Sequence, residues 1–247
     1  MAAPAYDSDI APVAALLADQ ARAAMLMALL PGRPLAAGEL AEVAHVSAPT
    51  ASAHLAKLLD GGLLTVTRQG RHRYYGLASY QIAEVIEQIA LIGRDIPVRS
   101  LRQSKQAQAL AAARTCYDHL AGLAGVELMD ALMRTGVLKD TGQPLARPWP
   151  EALSSPGRMV LEVTPGGEQT LASFGVKMDE LRRGRRRLAG ACLDWTERRA
   201  HLSGALGAAI TARLFELGWI ERGPRARSIN LTTDGRSGLT ATFGWTG

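Results

Sequence analysis

The chain has 247 residues, 28 Lys+Arg against 23 Asp+Glu, a formal net charge of +5 and a hydrophobic fraction of 47%. That mixture excludes a disordered or fibrous chain, and the length suits two compact units better than one. The first basic residue is Arg22, so no secretory leader is expected. The longest apolar run, 23–30, is far short of the ~20 residues that span a bilayer. With only Cys116 and Cys192 there is no disulfide framework, so a cytoplasmic protein without a membrane partner is expected.

Apolar spacing predicts helices over 10–17 and 22–30, the second ended by Pro31-Gly32. A short helix follows over 38–44 with Leu40 and Val43 inward. Ser47 suits the N-cap of the next helix, and Pro49 is tolerated in a first turn. Over 48–59, Ala51, Leu55, Leu58 and Leu59 mark one face. Pro49, Thr50, Ala53 and Lys57 then point away, with Ser52 and His54 on the flanks. Gly61-Gly62 stops this helix. Residues 63–67 and 73–77 alternate in polarity around Arg68-Gln69-Gly70-Arg71-His72, a hairpin with Gly at its tip. Ile82, Val85, Ile86, Ile89 and Ile92 recur at helical spacing, a stripe wider than one small domain covers alone.

Residues 96–105 are polar, contain Pro97 and read as a linker. Residues 107–134 read as a long helical stretch, with Gly122 or Gly125 as break points. Pro144, Pro148, Pro150 and Pro156 make 141–157 a loop. A helix over 202–217 leads into Gly218-Trp219-Ile220-Glu221, a turn at Gly223-Pro224 and a returning strand over 228–232. That order repeats the one at 47–77. A short echo also links Val163-Thr164-Pro165-Gly166-Gly167, with Leu171, to Leu231-Thr232-Thr233-Asp234-Gly235, with Leu239. Each reads as a strand ending in Thr followed by a capped helix start.

The expected fold is mainly α with small β hairpins, an α+β chain. A winged helix-turn-helix spans 1–95, a linker 96–105, and a C-terminal helical domain 106–247 that holds a second winged-helix-like unit. Charge is unevenly divided between them. Residues 1–95 carry seven basic and nine acidic side chains, net −2, which leaves +7 for the remainder. Within the acidic part, 47–73 holds Lys57, Arg68, Arg71 and Arg73 against Asp60 alone. A phosphate-reading surface needs such a patch, although a plain solvated face has the same composition. A helix fits the major groove, its outward side chains reach base edges, and a basic hairpin tip lies near phosphates. Ser47, Pro49, Thr50, Ser52, Ala53, His54, Lys57, Arg68, Arg71, His72 and Arg73 are therefore the DNA-binding candidates, with double-stranded operator DNA as partner.

Glu39-Leu40-Ala41, the segment 47–58, Gly61-Gly62-Leu63-Leu64 and the wing 68–75 together resemble ArsR/SmtB-type transcriptional regulators over roughly 8–95. The resemblance implies a homodimeric, operator-binding regulator, usually a repressor released by a small-molecule or metal effector. It also implies a dimer interface on the first and last helices, here through Ile82, Val85, Ile86, Ile89 and Ile92. The family's common metal sites do not carry over. Residues 39–44 lack cysteine, Lys57 and Gly61 stand where other members place thiolates, and Glu84 and Glu87 have no histidine beside them. Beyond 105, the segments 114–122 and 192–202 look like those of longer members with an appended domain.

Those two segments contain Cys116, His119, Cys192 and His201, a set suited to a soft or borderline metal ion. On a helix, Cys116 and His119 would share one face. A redox thiol pair and plain core packing are open alternatives, because cysteine is often a small buried hydrophobe. No cofactor is expected to be required for DNA binding. No nucleophile motif surrounds either cysteine, so an enzyme is not expected.

Overall fold

The computed structural model describes residues 8–93, 100–142, 159–223 and 227–247. Most of the expected loop at 141–157, part of the linker at 96–105 and Pro224 lie outside the described residues. The chain divides into two compact units, Met1–Ile86 and Glu87–Gly247.

The first unit runs α1 (Ala11–Leu17), α2 (Gln20–Leu29), β1 (Leu35–Ala36), α3 (Ala37–Ala44), α4 (Ala48–Asp60), β2 (Leu64–Gln69) and β3 (His72–Leu77), and α5 (Tyr80–Ile92) begins in it. Local chemistry sets these boundaries. The Asp19 carboxylate accepts the Arg22 N–H at the start of α2, and the Glu39 carboxylate accepts the Ala36 N–H at 2.8 Å before α3. His45 sits in the left-handed region at φ 54 and turns the chain sharply between α3 and α4. Met25, Leu26, Leu29, Leu30, Leu40, Leu55 and Leu58 are fully buried and form the core. Val43, expected to face inward, is instead 43% exposed. Helix α3 is short enough for Leu40 and Ala41 to seat it alone.

The three strands order as β1-β3-β2, all antiparallel. Strand β1 escapes sequence reading, because two residues cannot show a period; its pairing with Tyr74 and Tyr75 creates it. The hairpin is tighter than expected, with Gln69 opposite His72 and only Gly70-Arg71 between the strands. Gly70 at φ +58 supplies the positive torsion that the first position of such a turn needs.

The second unit contains α6 (Leu101–Ala112), β4 (Arg114–Cys116), β5 (His119–Ala121), α7 (Leu123–Arg134), β6 (Leu138–Asp140), β7 (Leu161–Val163) and α8 (Pro165–Phe174). It continues with α9 (Met178–Arg183), β8 (Gly190–Leu193), β9 (Ala200–Ser203), α10 (Gly204–Glu216), β10 (Ile220–Arg222), β11 (Ile229–Leu231) and α11 (Thr233–Phe243). The helical stretch expected over 107–134 does break at Gly122, the N-cap of α7, but a β-hairpin not read from the sequence replaces 114–121. Tyr117, at φ 56, makes the turn, and the strands gain partners that no local propensity reveals. Cys116 and His119 consequently face each other across a ladder rather than sharing a helical face. The helix expected from 202 starts at Gly204 for the same reason, since His201, Leu202 and Ser203 belong to β9.

The second unit is built twice from one plan. Residues 114–174 and 190–243 each run hairpin, helix, hairpin, helix. Leu138 opposite Val163 corresponds to Ile220 opposite Leu231, and Cys116 opposite His119 corresponds to Cys192 opposite His201. The Thr echo seen in the sequence is one part of this duplication. Thr164 caps α8 by accepting the Gly167 N–H, and Thr232 caps α11 by accepting the Gly235 N–H. The halves interlock, with α7 packed on β9 and α10 packed on β5. Their shared core includes Leu132, Leu138, Leu171, Leu206, Leu214, Leu239, Phe243 and Trp245.

Candidate nucleic-acid interface and a buried cysteine–histidine cluster

Helix α4 presents its polar side outward. Ser47, Pro49, Thr50, Ser52, Ala53 and Lys57 are exposed, while Ala51, Leu55 and Leu58 are buried behind them. The Ser47 hydroxyl accepts the Thr50 N–H at 3.4 Å and lies 2.8 Å from the Thr50 hydroxyl, so cap and first turn hold each other. His54 is placed differently from its neighbours. It is half-buried, its Nδ1 3.4 Å from Arg22 Nη1 and 3.7 Å from Asp19 Oδ1. Arg22 donates in turn to the Leu16 and Ala15 carbonyls at 2.8 Å, which ties α1, α2 and α4 together.

The wing supplies the other candidates. Arg68, Arg71, His72 and Arg73 are all exposed, with Arg68 opposite Arg73. Like charges directly across a ladder repel, so this pair makes sense where an anion relieves them. On α5, Val85, Ile89 and Ile92 are 52%, 42% and 81% exposed, while Ile82 is half-buried and Ile86 is buried. Ile10 and Val13 near α1 are also exposed, and α1 buries no residue at all.

In the second unit, Cys116, His119, Cys192 and His201 converge. One ligand atom from each lies within 4.8 Å of all the others. All four are buried, the cysteines are free thiols, and the two imidazole rings stand 5.2 Å apart. Sequence spacing could not show this, because the nearest cysteine of the other half is 73 positions from His119. The cluster assembles only when β5 and β9 meet.

Two ion pairs frame it. Asp118 Oδ1 lies 3.3 Å from His119 Nδ1 and accepts from Arg186 Nη2 at 3.0 Å. Asp194, fully buried, accepts from Arg114 Nη2 at 2.8 Å, from the Gly122 N–H at 2.7 Å and from the Thr196 hydroxyl at 2.7 Å. The Arg114 guanidinium also stacks over Trp195, 4.4 Å from the ring centre. Burial raises the Asp194 pKa, but Arg114, Thr196 and Gly122 together outweigh it and hold the carboxyl well below its ordinary range. Burial opposes charge on both histidines. At His119 it is overcome by Asp118 and the neighbouring Cys192 sulfur, which hold the pKa up at about 9. At His201 burial wins, with His119 beside it, and the pKa falls to about 3. The Cys116 hydrogen bond and His119 lower the Cys192 thiol, while Cys116 itself is raised by its bond to Cys192 and by burial.

Three of the five arginines in the basic run 182–187 have partners inside this unit, while Arg183 and Arg185 are exposed. Arg182 pairs with Glu168, Arg186 with Asp118, and Arg187 donates to the Met159 carbonyl at 2.7 Å. Among the described residues no single helix is long and apolar enough to cross a membrane.

Comparison with known proteins bears on the first unit and on the whole chain separately. A helix-turn-helix domain family matches residues 17–67. The uncharacterized HTH-type transcriptional regulator YdfF of Bacillus subtilis (strain 168) is 41% identical over 228 residues, covering 92% of this chain and 94% of that protein. Among solved structures, the homodimeric winged helix-turn-helix DNA-binding domain Mb0332 (fragment 1-100) of Mycobacterium bovis, described as a possible ArsR-family transcriptional regulator, is 29% identical. It covers 36% of this chain and 88% of its own, with a TM-score of 0.31. NolR of Sinorhizobium fredii is 26% identical over 33% of this chain and 81% of its own, also with a TM-score of 0.31.

Proposed function

The chain belongs to the HTH-type transcriptional regulators, with its helix-turn-helix domain at residues 17–67, and from that premise we propose that it is a homodimeric, operator-binding repressor released by an effector acting on the second unit. The observation that carries this reading is the shared exposure of the α4 polar face and the basic wing. In a dimer on operator DNA, α4 enters the major groove. Thr50, Ser52 and Ala53 then meet base edges, and Ser47, Pro49 and Lys57 lie along the backbone. His54 sits at the edge of that surface, where Arg22 and Asp19 fix its ring. Arg68, Arg71, His72 and Arg73 follow the phosphates flanking the groove. The exposed Val85, Ile89 and Ile92 supply the apolar face on which two copies pair.

The test is fluorescence anisotropy of the purified chain on DNA from upstream of its own gene and on a shuffled duplex, at two salt concentrations. Tight, salt-dependent binding to the first alone is expected. Each phosphate-contacting arginine changed to Ala, Arg71→Ala or Arg73→Ala, lowers the salt slope by about 0.9 per protomer and weakens binding to every sequence alike. Ile89→Glu yields a monomer in sedimentation and loses the DNA complex. Equal affinity for both duplexes, or a wild-type monomer, sinks the proposal.

A further inference from the structure

We infer that the second unit holds a closed, tetrahedral Cys2His2 metal centre for one zinc-class divalent ion, formed where the two halves of its internal duplication meet. Each half contributes the same fragment. Cys116-Tyr117-Asp118 followed by His119-Leu120-Ala121-Gly122 matches Cys192-Leu193-Asp194 and, after a longer turn, His201-Leu202-Ser203-Gly204. In both, the cysteine and histidine are cross-strand partners on a short hairpin. One half therefore offers one sulfur and one imidazole, too few ligands for a closed site. Two halves related by the duplication offer four.

The geometry fits such an ion. Tetrahedral zinc with thiolate and imidazole ligands places ligand atoms roughly 3.3–3.8 Å apart, and these four already lie within 4.8 Å of one another. The halves are held in that register by close backbone approach. A Cβ added at Gly125 of α7 would fall 2.5 Å from the Leu120 carbonyl oxygen and 3.6 Å from Cβ of His201. A Cβ added at Gly207 of α10 would fall 2.6 Å from the Leu202 carbonyl oxygen and 3.2 Å from Cβ of His119. Each half thus seats the other half's histidine against a glycine. A side chain there would push the ligands apart.

A second, independent observation points to a ligand. His119 Nε2 and His201 Nε2 are buried and make no hydrogen bond, with His119 2% and His201 1% exposed. Leaving a buried polar nitrogen unpaired is costly, and one bond from each imidazole to a metal removes that cost. Each histidine also carries a carboxylate behind it. Asp118 is 3.3 Å from His119 Nδ1 and Asp194 is 3.5 Å from His201 Nδ1, the arrangement that orients imidazole ligands in metal sites. Each carboxylate is in turn clamped by an arginine, Asp194 by Arg114 of the other half and Asp118 by Arg186 of the segment that joins the halves. Charges balance: two thiolates neutralise a divalent ion, and the two Arg–Asp pairs neutralise each other. The ligands bind as two thiolates and two neutral imidazoles, so uptake of the ion displaces the protons that they hold in the free site. Sulfur and imidazole together favour zinc over magnesium or calcium.

The experiment uses the full chain, reduced and stripped by chelation, and reads metal rather than DNA, so its failure is distinct from failure of the repressor reading. Cobalt(II) titration is expected to produce intense tetrahedral visible bands and thiolate-to-cobalt charge-transfer bands that saturate at one ion per chain. Zinc then displaces the cobalt stoichiometrically. The Cys116→Ser, Cys192→Ser double variant loses the charge-transfer bands. Should that variant fail to fold by circular dichroism, Asp118→Asn decides, because the Asp118 side chain is 32% exposed and its loss spares the core. It is expected to keep the bands while weakening zinc 10- to 100-fold. Charge-transfer bands that survive in a folded double variant, or zinc affinity unchanged in Asp118→Asn, overturn the assignment. So does a reduced wild-type chain that takes up no metal and oxidises to a Cys116–Cys192 disulfide, which would mark the pair as a redox couple.

Discussion

Along α4 the side chains of Thr50, Ser52, Ala53 and Lys57 stand in solvent on a helix whose other face, Ala51, Leu55 and Leu58, closes the core of the first unit. In the second unit the arrangement is inverted. Its chemically versatile side chains, Cys116, His119, Cys192 and His201, are buried, and an Arg–Asp pair as deeply buried lies against them. The difference separates two kinds of site. A surface that reads DNA is laid over a finished core, so its residues can change with little effect on folding. A cluster at the junction of two half-domains is part of the core, and its surroundings must satisfy every polar atom they bury.

Stability measurements can break that contrast. The largest effect is expected from Asp194→Ala, which strands the fully buried Arg114 guanidinium. Removing one partner of a buried pair costs about 3–5 kcal/mol, to be read as an earlier unfolding transition in denaturant. A loss below about 1 kcal/mol would show that water or another group compensates, as at an exposed pair. A smaller effect is expected at the junction of fold and surface. Ser47→Ala removes the α4 cap and should cost about 1 kcal/mol, with DNA affinity falling as the first turn frays. The smallest change in stability belongs to Lys57→Ala. This exposed substitution is expected to leave the unfolding midpoint unchanged while lowering the salt slope of DNA binding. A Lys57 variant that unfolds early would place this side chain in the fold rather than on the reading surface.

The first unit was legible because its signals are local. Ser47 caps, Ala51, Leu55 and Leu58 recur at one face, Gly61-Gly62 ends the helix, and Gly70 marks the hairpin tip. Each is decided within a few residues, so chain order alone gives the winged arrangement. The misreadings share the opposite character. Val43 has an apolar side chain but no neighbour to cover it. Residues 107–134 are rich in Ala and Leu, good helix formers, yet Arg114–Cys116 and His119–Ala121 are strands. Their bonds to distant chain, such as Thr115 N–H to the Arg227 carbonyl and Leu120 N–H to the Thr211 hydroxyl, outweigh local preference. The echo at Thr164 and Thr232 was visible, but the larger repeat was hidden by unequal turns: Tyr117-Asp118 joins β4 to β5, whereas 194–199 joins β8 to β9.

The net charge of +5 divides in the same way. The net-acidic first unit carries the basic patch, and part of the excess in the second is taken up by internal pairs such as Arg186–Asp118 and Arg182–Glu168. By itself the sequence determined a helix-turn-helix with a basic wing, because caps, periodicity and turn residues act over one or two turns of chain. It also named four residues able to bind metal. Only the tertiary structure decided that they meet, because their approach depends on β5 and β9 packing across α7 and α10. Contacts between segments some 80 residues apart leave no period in the sequence, and backbone packing at Gly125 and Gly207 sets their geometry.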